Sequence, residues 1–297
     1  MRNLLQLRGM PASDLRALLT HTHALKRSPP TDSPLAGKIV LNLFLEDSTR
    51  TRVSFSIAAA RLGAHVFDLT GMGSSASKGE TITDTARVVE AHGANAIVIR
   101  VKEAGGPQLV AEHVSVPVLN AGEGASSHPT QGLLDVYTIA EEFNLTDSFD
   151  FASLRVAIVG DLLNSRVARS DVAALTTLGA TVIAVGPPSL VPDDFASLGC
   201  EISRSLDDTL PTVNAVQMLR VQRERGSATD DDYIAHFQLN EQRAATMPQG
   251  AIVMHPGPMN RGVEIASPVA DGPRSRIFQQ VANSIPVRQA CLLRALA

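Results

Sequence analysis

This chain of 297 residues has only two cysteines and no excess of basic charge, and each of these facts excludes a class of protein. The two cysteines, Cys200 and Cys291, have no CxxC spacing, which excludes a disulfide framework and a cysteine-based zinc site. The formal net charge of −4 offers no bulk attraction to nucleic acid or to an anionic membrane. No apolar run approaches the roughly 18 residues of a membrane span, and the N-terminal residues lack the apolar core of a signal peptide. We therefore expect a cytoplasmic protein that binds neither nucleic acid nor membrane.

The residues that are abundant indicate a globular α/β protein. Hydrophobic residues make up 44% of the chain and charged residues 19%, which excludes disorder and coiled coil as the main state. Apolar runs alternate with helical stretches, a pattern typical of parallel sheets with helices on both faces. The predicted strands are 38–44, 65–69, 96–101, 116–120, 155–160, 181–185, 215–219 and 251–254, and the predicted helices are 54–62, 82–92, 132–143, 170–178 and 286–296.

Two domains are expected from this length, each a parallel sheet flanked by helices. The polar segment 144–153 precedes a fresh strand and predicts the boundary between them. The apolar-striped helix at the C-terminus is expected to pack back on the first domain. The predicted limits are therefore 1–146 together with 285–297 for the first domain, and 147–284 for the second.

The clearest chemical signal is the run EDSTRTR at 46–52, between the first strand and a helix. Open α/β sheets bind ligands at the carboxyl ends of their strands, and a helix N-terminus there suits phosphate. The hydroxyl side chains and Arg50 add hydrogen-bond donors, since guanidinium binds phosphate oxygens bidentately. The alternative is ordinary helix capping by Ser48 or Thr49 beside a solvated arginine.

A second signal is His128-Pro129-Thr130-Gln131, which opens another helix after a predicted strand. A histidine and an amide at that place can donate to a carbonyl oxygen and accept from an NH2 group. Arg100 ends a third strand, so its charge falls on the same edge of the sheet. A capping or packing role for His128 is the alternative.

In the second half, the strand RVAIVG runs into GDLLNSR, the position of a dinucleotide fingerprint. The glycines of GxGxxG are missing, which argues against NAD binding. Arg166 and Arg220 instead follow two strands, and together they predict a clamp for a small dicarboxylate. Structural ion pairs are the competing interpretation.

Two further segments complete the candidate site. The run HPGPMNRG at 255–262 predicts a tight turn in which one X–Pro bond is cis, and its carbonyls could bind an NH2 group. Ser74 and Lys78 lie in a loop rich in glycine and serine, where the alternative is a disordered loop with a solvated lysine.

Taken together, these motifs resemble the aspartate/ornithine transcarbamoylase family from the run at 46–52 to the C-terminal helix. Ser-Thr-Arg-Thr-Arg and His-Pro-Thr-Gln are common to that family. Lys78, the run Arg220-Val-Gln with Glu224-Arg225, and HPGPMNRG are similar to its aspartate branch. The ornithine branch carries a His-Cys-Leu-Pro turn, which this chain lacks near His255.

The resemblance implies a carbamoyl phosphate-binding first domain, an aspartate-binding second domain and transfer of a carbamoyl group to L-aspartate, without a cofactor or metal. The implied phosphate ligands are Ser48, Thr49, Arg50, Thr51 and Arg100. His128, with Thr51 and Arg100, would polarise the carbamoyl oxygen, while Gln131 and the backbone of Gly257 and Pro258 receive the NH2 group. The implied aspartate ligands are Lys78, Arg166, Arg220 and Gln222. Glu46 would bridge Arg166 and Arg225 on domain closure, and Asp47, beside the phosphate loop, has no assigned role.

The resemblance also implies a homotrimer in which Ser74 and Lys78 enter the site of a neighbouring subunit. Regulatory chains or a dihydroorotase are possible further partners. A transcarbamoylase for ornithine or another amine is the main alternative, although a cationic substrate would need an acid where Arg220 stands. A non-catalytic homologue that scaffolds a partner is an alternative of another class.

Overall fold

The structure is a computed structural model that describes residues 3–70, 80–221 and 230–296. The chain divides into two compact units, Met1–Leu134 with Asn283–Ala297, and Asp135–Ala282. The elements before the second sheet are α1 (Ala12–Arg27), β1 (Ile39–Phe44), α2 (Thr49–Arg61), β2 (His65–Thr70), α3 (Ile82–Ala91), β3 (Ala96–Val101), α4 (Gly106–Ala111), β4 (Val118–Glu123) and α5 (Pro129–Glu142). Those that follow are β5 (Arg155–Val159), α6 (Arg166–Thr177), β6 (Thr181–Val185), β7 (Glu201–Ser203), α7 (Leu206–Thr209), β8 (Ala215–Met218), α8 (Asp230–Phe237), α9 (Glu241–Thr246), β9 (Ile252–Met254), α10 (Ser267–Ala270) and α11 (Ile277–Leu296).

The first unit contains a four-stranded parallel sheet in the order β2-β1-β3-β4. Strands β3 and β4 are buried along their whole length, as strands covered on both faces should be. Leu43, Ile97, Ile99 and Val118 belong to one buried apolar cluster that also includes residues of α3 and α4. The outer strand β2 is largely exposed, so this edge of the sheet is open to solvent in the single chain.

The second unit contains a five-stranded parallel sheet in the order β7-β6-β5-β8-β9. Its central strand β5 is buried after the first residue, and β8 and β9 are buried throughout. Val159, Val216, Met218 and Val253 belong to one apolar cluster. The α/β class and the two helix-flanked parallel sheets predicted from the sequence are therefore confirmed.

Four predicted helices begin earlier in the structure than in the sequence analysis, and one of them is α6, which begins at Arg166 and not at 170. Helix α2 begins at Thr49 and not at 54, since its polar first turn carries the motif rather than apolar residues. Helix α5 begins at Pro129 and not at 132, because a proline at the first helical position lacks only a hydrogen bond that is unmade there anyway. Helix α11 begins at Ile277 and runs through Pro286, where the sequence analysis places its start.

The division into two units lies inside α5 and α11. The polar segment 144–153, where the sequence analysis places the boundary, follows α5 in the chain. The predicted limits of the two functional domains, 1–146 with 285–297 and 147–284, remain a prediction.

The last part of α11 packs on the first unit, as predicted. Lys26 Nζ of α1 donates to Asn283 Oδ1 at 2.7 Å, which ties the two helices together. The buried Arg288 donates to Ser54 Oγ of α2 and its guanidinium lies 5.0 Å from the ring centre of Phe55. At the far end, Arg294 donates to the carbonyl oxygen of Asn3 at 3.1 Å.

This packing predicts that Arg288→Ala lowers the stability of the chain more than Arg294→Ala does. The first change removes a buried charged hydrogen bond and a cation–π contact, together about 2–4 kcal/mol, whereas the second removes one half-buried bond of about 1 kcal/mol. Denaturant unfolding followed by circular dichroism measures both. Equal losses of stability for the two variants would contradict this packing of α11.

Candidate functional site

The strand order of the first sheet creates a crevice between β1 and β3. From β1 the chain moves outward to β2, and it then returns to the other side of β1 for β3 and β4. Ligands in open α/β sheets bind outside the carboxyl ends of the strands at such a reversal. The segment 46–52 follows β1 and Arg100 lies near the end of β3, so both motifs reach this place.

The N-terminus of α2 carries the phosphate motif. Ser48 is the residue before the helix and has extended backbone angles, φ −162° and ψ 96°, yet its side chain makes no capping hydrogen bond. Thr49 and Arg50 are exposed, Thr51 is buried, and the first turn carries no acidic side chain. The ordinary capping interpretation therefore does not describe Ser48. The positive end of the helix dipole is available to an anion here.

Arg100 lies at the same edge of the sheet, and residues of the first unit hold its side chain in place. The residue is 9% exposed, and its side chain donates to the carbonyl oxygen of Ala121 at 3.2 Å. Its second terminal nitrogen lies 3.4 Å from Glu46 Oε1. Glu46, predicted to bridge Arg166 and Arg225, is paired with Arg100 in this structure. The proposed bridge on closure stays a prediction.

His128 and Thr51 bring the two sequence motifs of the first unit together. The Nε2 atom of His128 lies 3.5 Å from Thr51 Oγ1, and both side chains are buried. Gln131 donates its backbone N–H to the His128 carbonyl at 3.0 Å, so the histidine lies at the start of α5. A buried imidazole at a helix N-terminus can donate to a developing oxyanion.

The second sheet has its own reversal of strand order, between β5 and β8. Arg166 is the first residue of α6, which follows β5, and its neighbour Ser165 caps the helix by accepting the Ala168 N–H at 3.1 Å. Arg220 follows β8 closely and is half-buried. The two arginines predicted to form a clamp thus follow the adjacent strands at which this sheet reverses.

The turn after β9 is built on two buried side chains. Gly257 N–H donates to His255 Nδ1 at 2.8 Å, so Nε2 carries the imidazole proton and donates to Glu264 Oε1 at 3.1 Å. Glu264 also accepts the Asn260 N–H, and the Asn260 amide donates to the Val221 carbonyl at 3.1 Å. The Gly257–Pro258 peptide bond is cis, as expected for one bond of this turn. The turn is therefore fastened to the segment that carries Arg220.

Four predicted site residues lie outside the described residues: Ser74, Lys78, Gln222 and Arg225. Their predicted roles stay predictions.

Three of the buried acids in the second unit were not predicted from the sequence: Glu264, Asp135 and Asp171. Asp135 accepts from the amides of Gln217 and Gln280 at 3.0 and 2.7 Å. Each of these acids lies within an apolar run of the sequence: Glu264 in VEIA, Asp135 in LLDVY and Asp171 in SDVAAL. An acid within an apolar stripe is the signal that could have found them, because such a side chain is buried only with partners.

Within residues 3–70, 80–221 and 230–296, no three His, Cys, Asp or Glu side chains are grouped to hold a metal ion. None of the helices that the structure describes is long and apolar enough to cross a bilayer.

Comparison with known proteins identifies both halves of the chain. Residues 2–141 match the model of the aspartate/ornithine carbamoyltransferase carbamoyl-P binding domain. Residues 152–295 match the model of the Asp/Orn binding domain of the same family.

Individual relatives cover almost the whole chain. An aspartate carbamoyltransferase catalytic subunit from Myxococcus xanthus is 49% identical over 98% of each chain. Among solved structures, aspartate transcarbamoylase from Trypanosoma cruzi with carbamoyl phosphate and aspartate has a TM-score of 0.89 and 29% identity, covering 100% of this chain and 96% of its own. Ornithine carbamoyltransferase from Thermus thermophilus has a TM-score of 0.89 and 28% identity over 99% of each chain. The chain therefore belongs to the aspartate/ornithine carbamoyltransferase family.

Proposed function

We propose that this protein transfers the carbamoyl group of carbamoyl phosphate to the amine of L-aspartate, giving N-carbamoyl-L-aspartate and phosphate in pyrimidine biosynthesis. The observation that carries the choice of aspartate is the pair Arg166 and Arg220 at the strand reversal of the second sheet. Guanidinium groups bind carboxylates, whereas the side-chain amine of ornithine would need an acid. Relatives such as the Myxococcus xanthus protein carry the aspartate name.

Carbamoyl phosphate is proposed to bind at the crevice of the first sheet. Its phosphate would lie on the N-terminus of α2, with Ser48, Thr49, Arg50 and Thr51 as donors and Arg100 as a further cation. The extended Ser48, whose side chain makes no capping bond, and the acid-free first turn support this placement. A dianionic phosphate is stabilised by unneutralised N–H groups and by the helix dipole.

The carbamoyl oxygen is proposed to face His128, Thr51 and Arg100. The 3.5 Å separation of His128 Nε2 and Thr51 Oγ1 supports their acting on one atom. Gln131 and the backbone of Gly257 and Pro258 would accept hydrogen bonds from the carbamoyl NH2 group. Donors aimed at the oxygen stabilise the charge that develops when the carbonyl is attacked.

Aspartate is proposed to bind through its carboxylates to Arg166, Arg220, Gln222 and Lys78. Its neutral amine attacks the carbamoyl carbon, a negative charge forms on the carbonyl oxygen, and phosphate departs as the carbon–oxygen bond to it breaks. The amine proton leaves with the phosphate. The protein needs no covalent nucleophile for these steps, and orientation supplies much of the acceleration.

A homotrimer with shared active sites is part of the proposal. On the first unit, Val53 and Ile57 of α2 and Phe67 of β2 are apolar side chains that are 46%, 40% and 57% exposed. These three side chains lie along the open edge of the sheet that β2 forms. Exposed apolar groups at such an edge favour a subunit interface. Ser74 and Lys78 follow β2 in the chain and are proposed to serve the neighbouring site. The cytoplasmic location expected from the sequence stays a prediction.

The function is tested by offering the purified protein carbamoyl phosphate with aspartate or with ornithine in parallel, and by measuring the carbamoylated product. We expect product with aspartate, and Arg50→Gln should abolish it while Arg61→Gln at the other end of α2 should not. Losing one group aimed at transition-state charge typically costs about 10²–10³ in kcat. Product with ornithine alone would overturn the choice of substrate.

The aspartate clamp predicts that Arg220→Ala raises the KM for aspartate far more than that for carbamoyl phosphate. A truncated charge pair in a closed site costs about 2–5 kcal/mol, which is at least a tenfold change in KM. The matched control is Arg155→Ala, since Arg155 begins β5 and is paired with Glu201 on the surface at 3.5 Å. Loss of carbamoyl phosphate binding with unchanged aspartate binding would contradict the clamp.

The shared site predicts complementation between two inactive variants. Lys78→Ala and His128→Ala trimers should each lose about 10²–10³ in kcat. When the two are dissociated and reassembled together, a mixed trimer pairs an intact Lys78 with an intact His128 at one interface, so activity should return. Cross-linking each trimer before mixing is the control and should prevent the return. Exchanged trimers that stay inactive would place Lys78 in its own chain's site.

A further inference from the structure

Two carboxyl groups in the second unit are buried together and have no part in the reaction described above. Asp135 lies on α5 and Asp171 on α6, and their side chains are 2% and 1% exposed. Asp171 faces Asp135 and the amide of Gln217 on β8. Among the described residues, Asp135 is the titratable group whose charge bears on Asp171.

The hydrogen bonds around Asp135 form a network that links α5, β8, α11 and the turn after β9. Asp135 Oδ2 accepts from Gln217 Nε2 at 3.0 Å, and Asp135 Oδ1 accepts from Gln280 Nε2 of α11 at 2.7 Å. Gln280 Nε2 also lies 3.3 Å from Gln217 Oε1. Gln280 Oε1 in turn accepts a hydrogen bond from the backbone N–H of His255 at 2.9 Å, which extends the network to the turn after β9. Both amide donors are therefore directed at Asp135.

Asp171 lacks what an ionised buried carboxylate requires. Neither of its oxygens receives a hydrogen bond from the described residues, although both are buried. A charge left without donors in the interior is costly, and two neighbouring carboxylates cannot both ionise there. Burial, and next the charge of Asp135, hold the pKa of Asp171 well above the usual range of an aspartate.

A proton on Asp171 removes the cost of burying a second negative charge beside Asp135. The hydroxyl of a carboxylic acid donates, and a carboxylate oxygen that already accepts one hydrogen bond can accept another. Asp171 then gains a partner and Asp135 gains a further donor. A charge-assisted bond of this kind in a dry interior is stronger than a bond between neutral groups.

We propose that Asp171 is a positioning residue that stays protonated in the folded protein and donates its proton to Asp135. The bond closes a chain from α6, which begins with Arg166, through β8, which leads to Arg220, to the turn at His255. The shared proton thereby fixes the positions of Arg166 and Arg220, the two arginines of the clamp, relative to the turn at His255. This consequence for catalysis rests on the proposed function, whereas the shared proton itself does not.

Infrared spectroscopy detects the shared proton without any substrate. At about pH 8, where ordinary carboxyl groups are ionised, the full chain should show the carbonyl stretch of a protonated carboxylic acid. Asp171→Asn and Asp135→Asn should each remove that band. Asp271→Asn is the control, since Asp271 is a surface carboxylate paired with Arg261 at 2.7 Å, and it should leave the band in place. A wild-type chain without the band, or a band that survives Asp171→Asn, would overturn the proposal.

The pH dependence of unfolding is a second measurement that needs no substrate. With a raised pKa in the folded state, the native protein binds one more proton than the unfolded chain above the ordinary aspartate pKa. Wild-type stability should therefore fall as pH rises from that value through the raised pKa of Asp171. Asp171→Asn lacks the titrating group, so its melting temperature should fall less over the same window. Parallel curves would contradict the proposal.

Kinetics test the positioning role. Asp171→Asn keeps a donor, since its amide can point at Asp135, and should change the KM for aspartate by no more than about twofold. Asp171→Leu fills similar space without a donor and should raise that KM about tenfold, the effect of one buried hydrogen bond left unmade, with the KM for carbamoyl phosphate unchanged. The control is Thr176→Val, which removes a hydrogen bond to Val172 on the same helix.

The outcomes separate this inference from the proposed function. Equal aspartate KM values for the Asn and Leu variants would remove the positioning role. If Asp171→Leu does not fold, the infrared and unfolding measurements on the Asn variant still decide the shared proton. A protein with the infrared band but without carbamoyl transfer would overturn the proposed function alone.

Discussion

The reversal of strand order in each parallel sheet is the constraint on which the candidate site depends. Parallel strands bring all their carboxyl ends to one edge, and the reversal leaves two neighbouring ends uncovered by crossing connections. In the first sheet these ends belong to β1 and β3, and in the second to β5 and β8. Polar residues that are far apart in the chain meet at these two places because the backbone order leaves space for them.

Contacts within each unit hold polar groups in place at the first reversal and at the turn after β9. Arg100 is paired with Glu46 and donates to the Ala121 carbonyl oxygen, so its positive charge is preorganised at the edge of the first sheet. In the second unit, the buried His255 and Glu264 shape the turn after β9. Fixed charges and dipoles of this kind need little rearrangement when charge develops in a reaction. This is the physical basis on which a carbamoyl transfer without a covalent nucleophile is proposed.

The apolar periodicity of the chain determined the fold class and the placement of its motifs. Buried parallel strands read as continuous apolar runs, so β1, β3, β5 and β8 could be predicted closely. Arg50, Arg166 and Arg220 follow β1, β5 and β8 in the chain, and His128 follows β4, so the predicted strand ends located these motif residues. Helix starts were less accessible, because the polar first turn of α2 and the proline-opened α5 lack an apolar signal.

The amino-acid sequence by itself determined the two α/β halves and the residues at the strand ends, since each follows from local pattern and spacing, and its motifs carried the resemblance to the family. The tertiary structure alone decided which of those residues meet. It placed His128 beside Thr51 and paired Glu46 with Arg100. It also buried Asp135 and Asp171 together, a contact between two helices that no local spacing encodes, since the ionisation of a carboxyl group depends on what the fold packs against it.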